Sequence, residues 1–116
     1  MKDDNRDLVR LHHMHDAISE IQSFILDKDM DEFIIDSMLH SACIRQLEII
    51  GEAAGRLSEA LKENYNNIGW REITGLRNIL VHEYFGIDLL VIYQIIRNDL
   101  PNLKSNILQI INALEK

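Results

Sequence analysis

At 116 residues the chain has room for one hydrophobic core, and a single domain over residues 1–116 is expected. No window approaches the roughly 18 consecutive apolar residues that span a membrane, and the charged start from Met1 to Asp7 does not fit a signal peptide. A net charge of −7 excludes a broad basic platform for polyanions, leaves room for a small, locally positive cleft, and suits a cationic partner.

From Asp4 to Leu26 the pattern predicts one amphipathic helix. Leu8, Leu11, Met14, Ile18, Ile21 and Ile25 alternate threes and fours along one stripe. His12, His13 and His15 cluster on it, and the three-residue step from His12 to His15 could place two imidazoles near a metal. With only Asp16 nearby and no cysteine pair, they do not make a closed site, and no metal or cofactor is expected. The run Asp27 to Asp31 breaks the apolar pattern, and Asp29 or Asp31 can cap the next helix.

That second helix is predicted to run to about Glu63. Leu39, Cys43, Leu47, Ile50, Ala54, Leu57 and Leu61 form its apolar stripe. Arg45, Glu48, Glu52 and Arg56 form a second line able to hold internal ion pairs. Gly51, Ala53, Ala54 and Gly55 place four small residues at its centre, where each glycine costs about 1 kcal/mol in helix propensity. Something should therefore approach closely, either a neighbouring helix or a second copy. Cys43 is the one cysteine, so no internal disulfide is possible; a buried thiol in a reducing cytoplasm is the expectation.

Asn64 to Gly69 reads as a loop. Trp70 then leads a further helix as a core anchor, with Ile73, Leu76, Leu80 and Val81 on the side facing the core. Gly86 offers a left-handed residue past its end. Asp88 is a candidate N-cap for an apolar run, Leu89 to Ile96, expected to be buried on more than one side. Pro101 fits the first turn of a last helix carrying Leu103, Ile107, Ile110, Ile111 and Leu114. Five helical segments and no credible strand give an all-α, mostly antiparallel bundle.

The chemistry-bearing stretch is Arg77 to Asp88. Arg77, Asn78 and His82 fall in the last two turns of the Trp70 helix. At about 100° per residue, Asn78 and His82 share a face, whereas Arg77 stands about 140° from His82. The two can meet only by reach, by local distortion, or across a symmetry axis. Imidazole can move a proton near neutral pH, and guanidinium holds a phosphate through a planar fork of donors. Against this stands the plainer view of a surface cation, a cap and a half-buried ring. The acidic line at Glu48 and Glu52 is a candidate support that would orient Arg77.

The pattern Arg-Asn-x-Leu-Val-His-x-Tyr-x-x-x-Asp over residues 77–88 follows Leu-Glu-Ile-Ile-Gly-Glu-Ala-Ala over 47–54 and precedes Asp-Leu-Pro-x-Leu over 99–103. In that order the blocks resemble the HepT-like branch of the HEPN superfamily, with a weaker match in the first helix. The departures are Gly69, Leu76 and Tyr93, where the family often has proline, methionine and tryptophan. The resemblance implies a helical homodimer with two motifs in one cleft, acting as a metal-independent ribonuclease toxin. Arg77, His82 and Asn78 would be catalytic, and a minimal nucleotidyltransferase antitoxin would transfer AMP to Tyr84. The competing reading is a non-catalytic helical module whose cleft binds a nucleotide or the partner.

Overall fold

The computed structural model describes residues 2–116, with the side chains of Lys2 and Tyr84 outside the description. Among these residues seven α-helices follow one another: α1 (Lys2–Phe24), α2 (Met30–Ile35), α3 (Ser37–Gly55), α4 (Glu59–Asn64), α5 (Trp70–His82), α6 (Leu89–Asn98) and α7 (Leu100–Leu114). A 3₁₀ turn, Tyr84–Gly86, lies between α5 and α6. No strand occurs among the described residues, and none of their helices is long and apolar enough to cross a membrane.

The all-helical class agrees with the sequence, but the number of helices does not. The segment expected as one helix from about Asp29 to Glu63 is divided into α2, α3 and α4 by two polar interruptions. Asp36 is extended (φ −92°, ψ 98°), and its side chain accepts from the Leu39 amide, so one residue ends α2 and starts α3. Helix α3 ends at Gly55 with Arg56 as its C-cap, and Ser58 starts α4, accepting from the Leu61 amide. An aspartate or serine inside an apolar stripe competes for the backbone it would otherwise continue. The stripe survives the breaks: Cys43, Leu47, Ile50, Ala54, Leu57 and Leu61 are all buried, and Leu39 partly. Burial pushes the Cys43 thiol up to about 11, so it stays protonated and unreactive at neutral pH.

Helix α3 is the centre of the bundle, packed on one side by α1 and on the other by α5; α7 lies against α1, and α6 against α7 and α2. The core is the expected α1 stripe, Leu11, Met14, Ile18, Ile21 and Ile25, meeting the α3 stripe and Ile107, Ile110 and Ile111 of α7. The principal extents are 46 × 29 × 21 Å. The thinnest is two helix diameters, so the helices keep solvent-facing sides. Helix α6 shows this: Ile92 and Ile96 are buried while Leu90 and Val91 are exposed, which corrects the expectation of burial on several sides.

Three polar devices fix the helix ends. Asp29 and Glu32 make a reciprocal capping box at α2 (2.8 and 3.1 Å). At the end of α1, Asp27 adopts φ 63°. The Tyr93 hydroxyl donates to the Lys28 carbonyl (2.9 Å), and the Arg97 guanidinium donates to the carbonyls of Ile25 and Lys28. Residues of α6 thereby bind carbonyls of the turn that follows α1. Asp7, the buried charged side chain of the described core, accepts from the Ser58 amide (2.9 Å) and the Ser58 hydroxyl (2.6 Å). It ties α1 to the cap of α4. Asp7→Ala leaves both Ser58 donors without an acceptor, so a loss of about 2–3 kcal/mol is expected, read as a lower urea midpoint.

Candidate functional site

The motif helix α5 is positioned by Trp70 and by α3. Trp70 is buried at its first turn, and its indole N–H donates to the Tyr65 carbonyl (3.1 Å). Leu80 is buried, with Ile73 and Leu76 partly so. Val81 was expected on that side but is 41% exposed. One residue turns a helix by about 100°, which carries Val81 past the core edge that Leu80 occupies. Helix α5 ends at His82 without help from Gly86. Glu83 at the C-cap has φ −123°, the 3₁₀ turn follows, and no described glycine has positive φ. The left-handed stop expected at Gly86 is therefore absent, because the chain leaves the helix three residues earlier, at Glu83 (φ −123°, ψ 40°).

Arg77 stands where α5 comes closest to α3. A Cβ added at Gly51 would lie 2.3 Å from the Arg77 Cβ, 3.0 Å from its Cγ and 3.1 Å from the Ile73 carbonyl. The small-residue centre of α3 is thus explained by a neighbouring helix, and the occupant is the stem of the candidate catalytic arginine. From this stem the guanidinium donates through Nη1 to the Asn78 side-chain oxygen (3.2 Å), while Nε is buried without an acceptor. Arginine can only donate. Asn78 must therefore turn its carbonyl to Arg77, which leaves its NH₂ group as a donor.

Asn78 and His82 are both exposed. Four residues apart on a helix that stays regular through His82, they share one face, with Val81 between them and α3. That regularity also preserves the 140° offset of Arg77 from His82. No local distortion brings the two together within one chain. Two grooves of about 510 and 400 Å³ open elsewhere on the bundle, and neither is lined by Arg77, Asn78 or His82.

The expected ion-pair line on α3 is present, with Glu48 3.3 Å from Arg45 and Glu52 3.3 Å from Arg56. Both carboxylates thus pair with arginines of their own helix, whereas the Arg77 guanidinium is hydrogen-bonded to Asn78. The Tyr84 side chain lies outside the described residues; its backbone opens the 3₁₀ turn two positions after His82. His12 stands 3.4 Å from Glu115 of α7. Among the described residues no group of three or more His, Cys, Asp or Glu side chains is gathered as a metal site would require. The sequence did not single out the packing of Gly51 on Arg77 in particular; the Gly-Glu-Ala-Ala-Gly run signals a close approach but not the residue that makes it.

Gly51→Ala sets two Cβ atoms in collision where no side-chain rotation can separate them. The strain, about 1–3 kcal/mol, is expected to outweigh the ~1 kcal/mol that alanine gains in helix propensity. Gly55→Ala is the control, since its new Cβ meets only Thr74 Cγ2 at 3.5 Å, an ordinary contact. Chemical denaturation should place Gly51→Ala below wild type and Gly55→Ala at or above it.

Comparison with known proteins gives the chain a family. The family model described as "Ribonuclease HepT-like" matches residues 14–110. A Methanocaldococcus jannaschii protein provisionally named an RNase is 39% identical over 97 residues, covering 84% of this chain and 89% of its own length. A second protein from that organism, named as a gamma-glutamylcyclotransferase and provisional RNase, is 39% identical over 108 residues. That match takes in 93% of this chain and 49% of the other, so the chain spans about half the length of this relative. A Thermococcus cleftensis protein, provisionally named ribonuclease HepT, is 36% identical over 94 residues, 81% of this chain and 86% of that one. No solved structure matches the chain at a significant level. With the family model covering most of its length and several relatives above 30% identity, the chain belongs to the HepT-like ribonuclease family.

Proposed function

We propose that this chain is a metal-independent endoribonuclease toxin that acts in the cytoplasm, residues 1–116 forming one domain that works as a homodimer. The observation that carries this reading is the state of Arg77. Its stem is wedged against Gly51, its Nη1 orients Asn78, and its Nε is buried with no acceptor. A buried donor left unpaired costs about 1–3 kcal/mol. An anionic ligand that draws the guanidinium outward would recover that cost, and a phosphate matches the planar fork.

His82, exposed at the end of α5, takes the proton of an RNA 2′-hydroxyl. The 2′-oxygen attacks the adjacent phosphorus, and the bond to the 5′-oxygen breaks. Arg77 and the Asn78 NH₂ stabilise the charge on the non-bridging oxygens. A second imidazole returns a proton to the departing 5′-oxygen, leaving a 2′,3′-cyclic phosphate and a 5′-hydroxyl. One chain has a single histidine on this face, and its arginine points 140° away. A second copy across a symmetry axis supplies both the other histidine and the missing wall. The exposed apolar side chains of Ile79 and Val81 on the same helix suit such a contact.

Control follows from the position of Tyr84. A minimal nucleotidyltransferase antitoxin joins the AMP moiety of ATP to the tyrosine oxygen and releases pyrophosphate. The bulky, anionic adduct fills the cleft and competes for Arg77.

His82→Ala should lose about 10²–10⁴ in cleavage rate and Arg77→Ala about 10²–10³, with both proteins folded by circular dichroism and dimeric by light scattering. Cleavage that disappears with chelator yet survives His82→Ala would overturn the assignment. So would a monomer at micromolar concentration, as regards the shared cleft. A binding module without nuclease activity would instead retain nucleotide or partner affinity while cutting nothing.

Tyr84→Phe removes only the hydroxyl. After incubation with the nucleotidyltransferase and ATP, wild type should gain one AMP in intact mass and the variant none. Equal incorporation in both would move the acceptor to another residue, Tyr65 and Tyr93 being the other tyrosines.

A further inference from the structure

The larger groove, about 510 Å³, runs between α1 and α3 and is lined by Arg6, Arg10 and His13 from α1 and by Ile49, Glu52 and Arg56 from α3, among others. Three arginines and a histidine face a single carboxylate there, in a chain of net charge −7. That carboxylate, Glu52, is already paired with Arg56. Arg6 and Arg10 make no ion pair or hydrogen bond among the described residues, although acidic side chains outnumber basic ones nineteen to twelve. Asp3 and Asp4 belong to the first turn of α1 and do not line the groove. Asp7, next to Arg6, is turned inward and bound to Ser58.

The groove lies across α3 from the motif helix. Gly51 receives the Arg77 stem, and Ile49, Glu52, Ala53 and Arg56 line the groove. At about 100° per residue these four stand roughly 100–160° round from Gly51, so α3 carries Arg77 on one flank and the basic groove on the other. Arg6 and Arg10, four residues apart, lie ~5–6 Å from one another along α1, a step comparable to that between neighbouring phosphates of an extended strand. The floor between them is apolar (Val9, Ile49, Ala53), which suits a strand held by its backbone with bases or riboses against carbon.

We propose that the α1–α3 groove is a phosphate-backbone track that holds single-stranded RNA across α3 from the motif helix, with Arg6, Arg10 and Arg56 as its phosphate contacts. This rests on the ribonuclease reading above and adds the site that would position the substrate. Phosphate contacts of this kind set register rather than sequence, so the track fixes where along a strand the scissile bond falls.

The test is equilibrium binding of a fluorescein-labelled, fully 2′-O-methylated 20-nucleotide single strand, which cannot be cleaved by attack of its own 2′-oxygen, across a salt series by anisotropy. Each lost phosphate contact lowers the slope of log affinity against log salt by about 0.7 for a single strand. Arg6→Gln/Arg10→Gln should therefore reduce the slope by about 1.4, and Arg56→Gln alone, on the opposite wall, by about 0.7. Circular dichroism checks folding, and the two variants sit on different helices, so failure of one leaves the other informative. An unchanged slope in a folded variant overturns the track. Loss of poly-glutamate binding with RNA binding intact also overturns it and marks the groove as a protein-docking surface. Wild type that binds with a groove-dependent slope but leaves an unmodified RNA uncut supports the track and removes the nuclease reading. Cleavage by wild type together with unaltered binding by the variants does the reverse.

Discussion

The approach of α5 to α3 at Gly51 is the constraint on which the motif depends. A 2.3 Å space between a notional Cβ and the Arg77 Cβ admits hydrogen and nothing larger. The helix pays for this with a weak residue at its centre, a cost of ~1 kcal/mol relative to alanine. In return the arginine stem is held by backbone packing and not by a salt bridge. Among the described residues its charged end then has only Asn78 as a partner, and it stays available in a way that an arginine locked to a carboxylate would not be. The nearby acids keep to their own helix, Glu48 with Arg45 and Glu52 with Arg56. That separation of packing from pairing lets a cation sit beside an acidic line without being neutralised by it.

Much of this was legible in the chain because the governing signals are local. The three-and-four spacing of the first helix identified Leu8, Leu11, Met14, Ile18, Ile21 and Ile25, of which Leu8 is partly buried and the rest fully. Asp88 before an apolar run read as a cap and is one, accepting from the Leu90 amide at 3.0 Å. Pro101 fell in the first turn of α7 as its missing N–H requires. The Gly-Glu-Ala-Ala-Gly run announced a close approach, and the order of the motif blocks agreed with the family now assigned.

What misled was polar residues inside apolar stripes. Periodicity carried straight through Asp36 and Ser58, since hydrophobic side chains on both sides continue one core face across the breaks. Only the side-chain oxygens, by capping Leu39 and Leu61, turn one apparent helix into three. At Gly86 the residue type suggested a left-handed stop, but conformational freedom is a permission and not an instruction. The chain had already left the helix at Glu83. Long-range pairs such as Asp7 with Ser58, 51 positions apart, carry no periodic mark at all. Nor could the angular positions in a single helix decide how Arg77 and His82 come to act together.

The clamp at the end of α1 has an evolutionary corollary. Arg97 and Tyr93 grip the carbonyls of Ile25 and Lys28, and every amino acid carries a main-chain carbonyl. The accepting side of this joint is therefore blind to sequence. Lys28 can drift to almost any residue without weakening it, whereas nearly any replacement of Arg97 removes two grips at once. Tolerance to mutation should be lopsided across the joint: permissive in the turn after α1, restrictive on α6. The burden of holding the first helix to the rest of the bundle rests on side chains some 70 residues further along the chain.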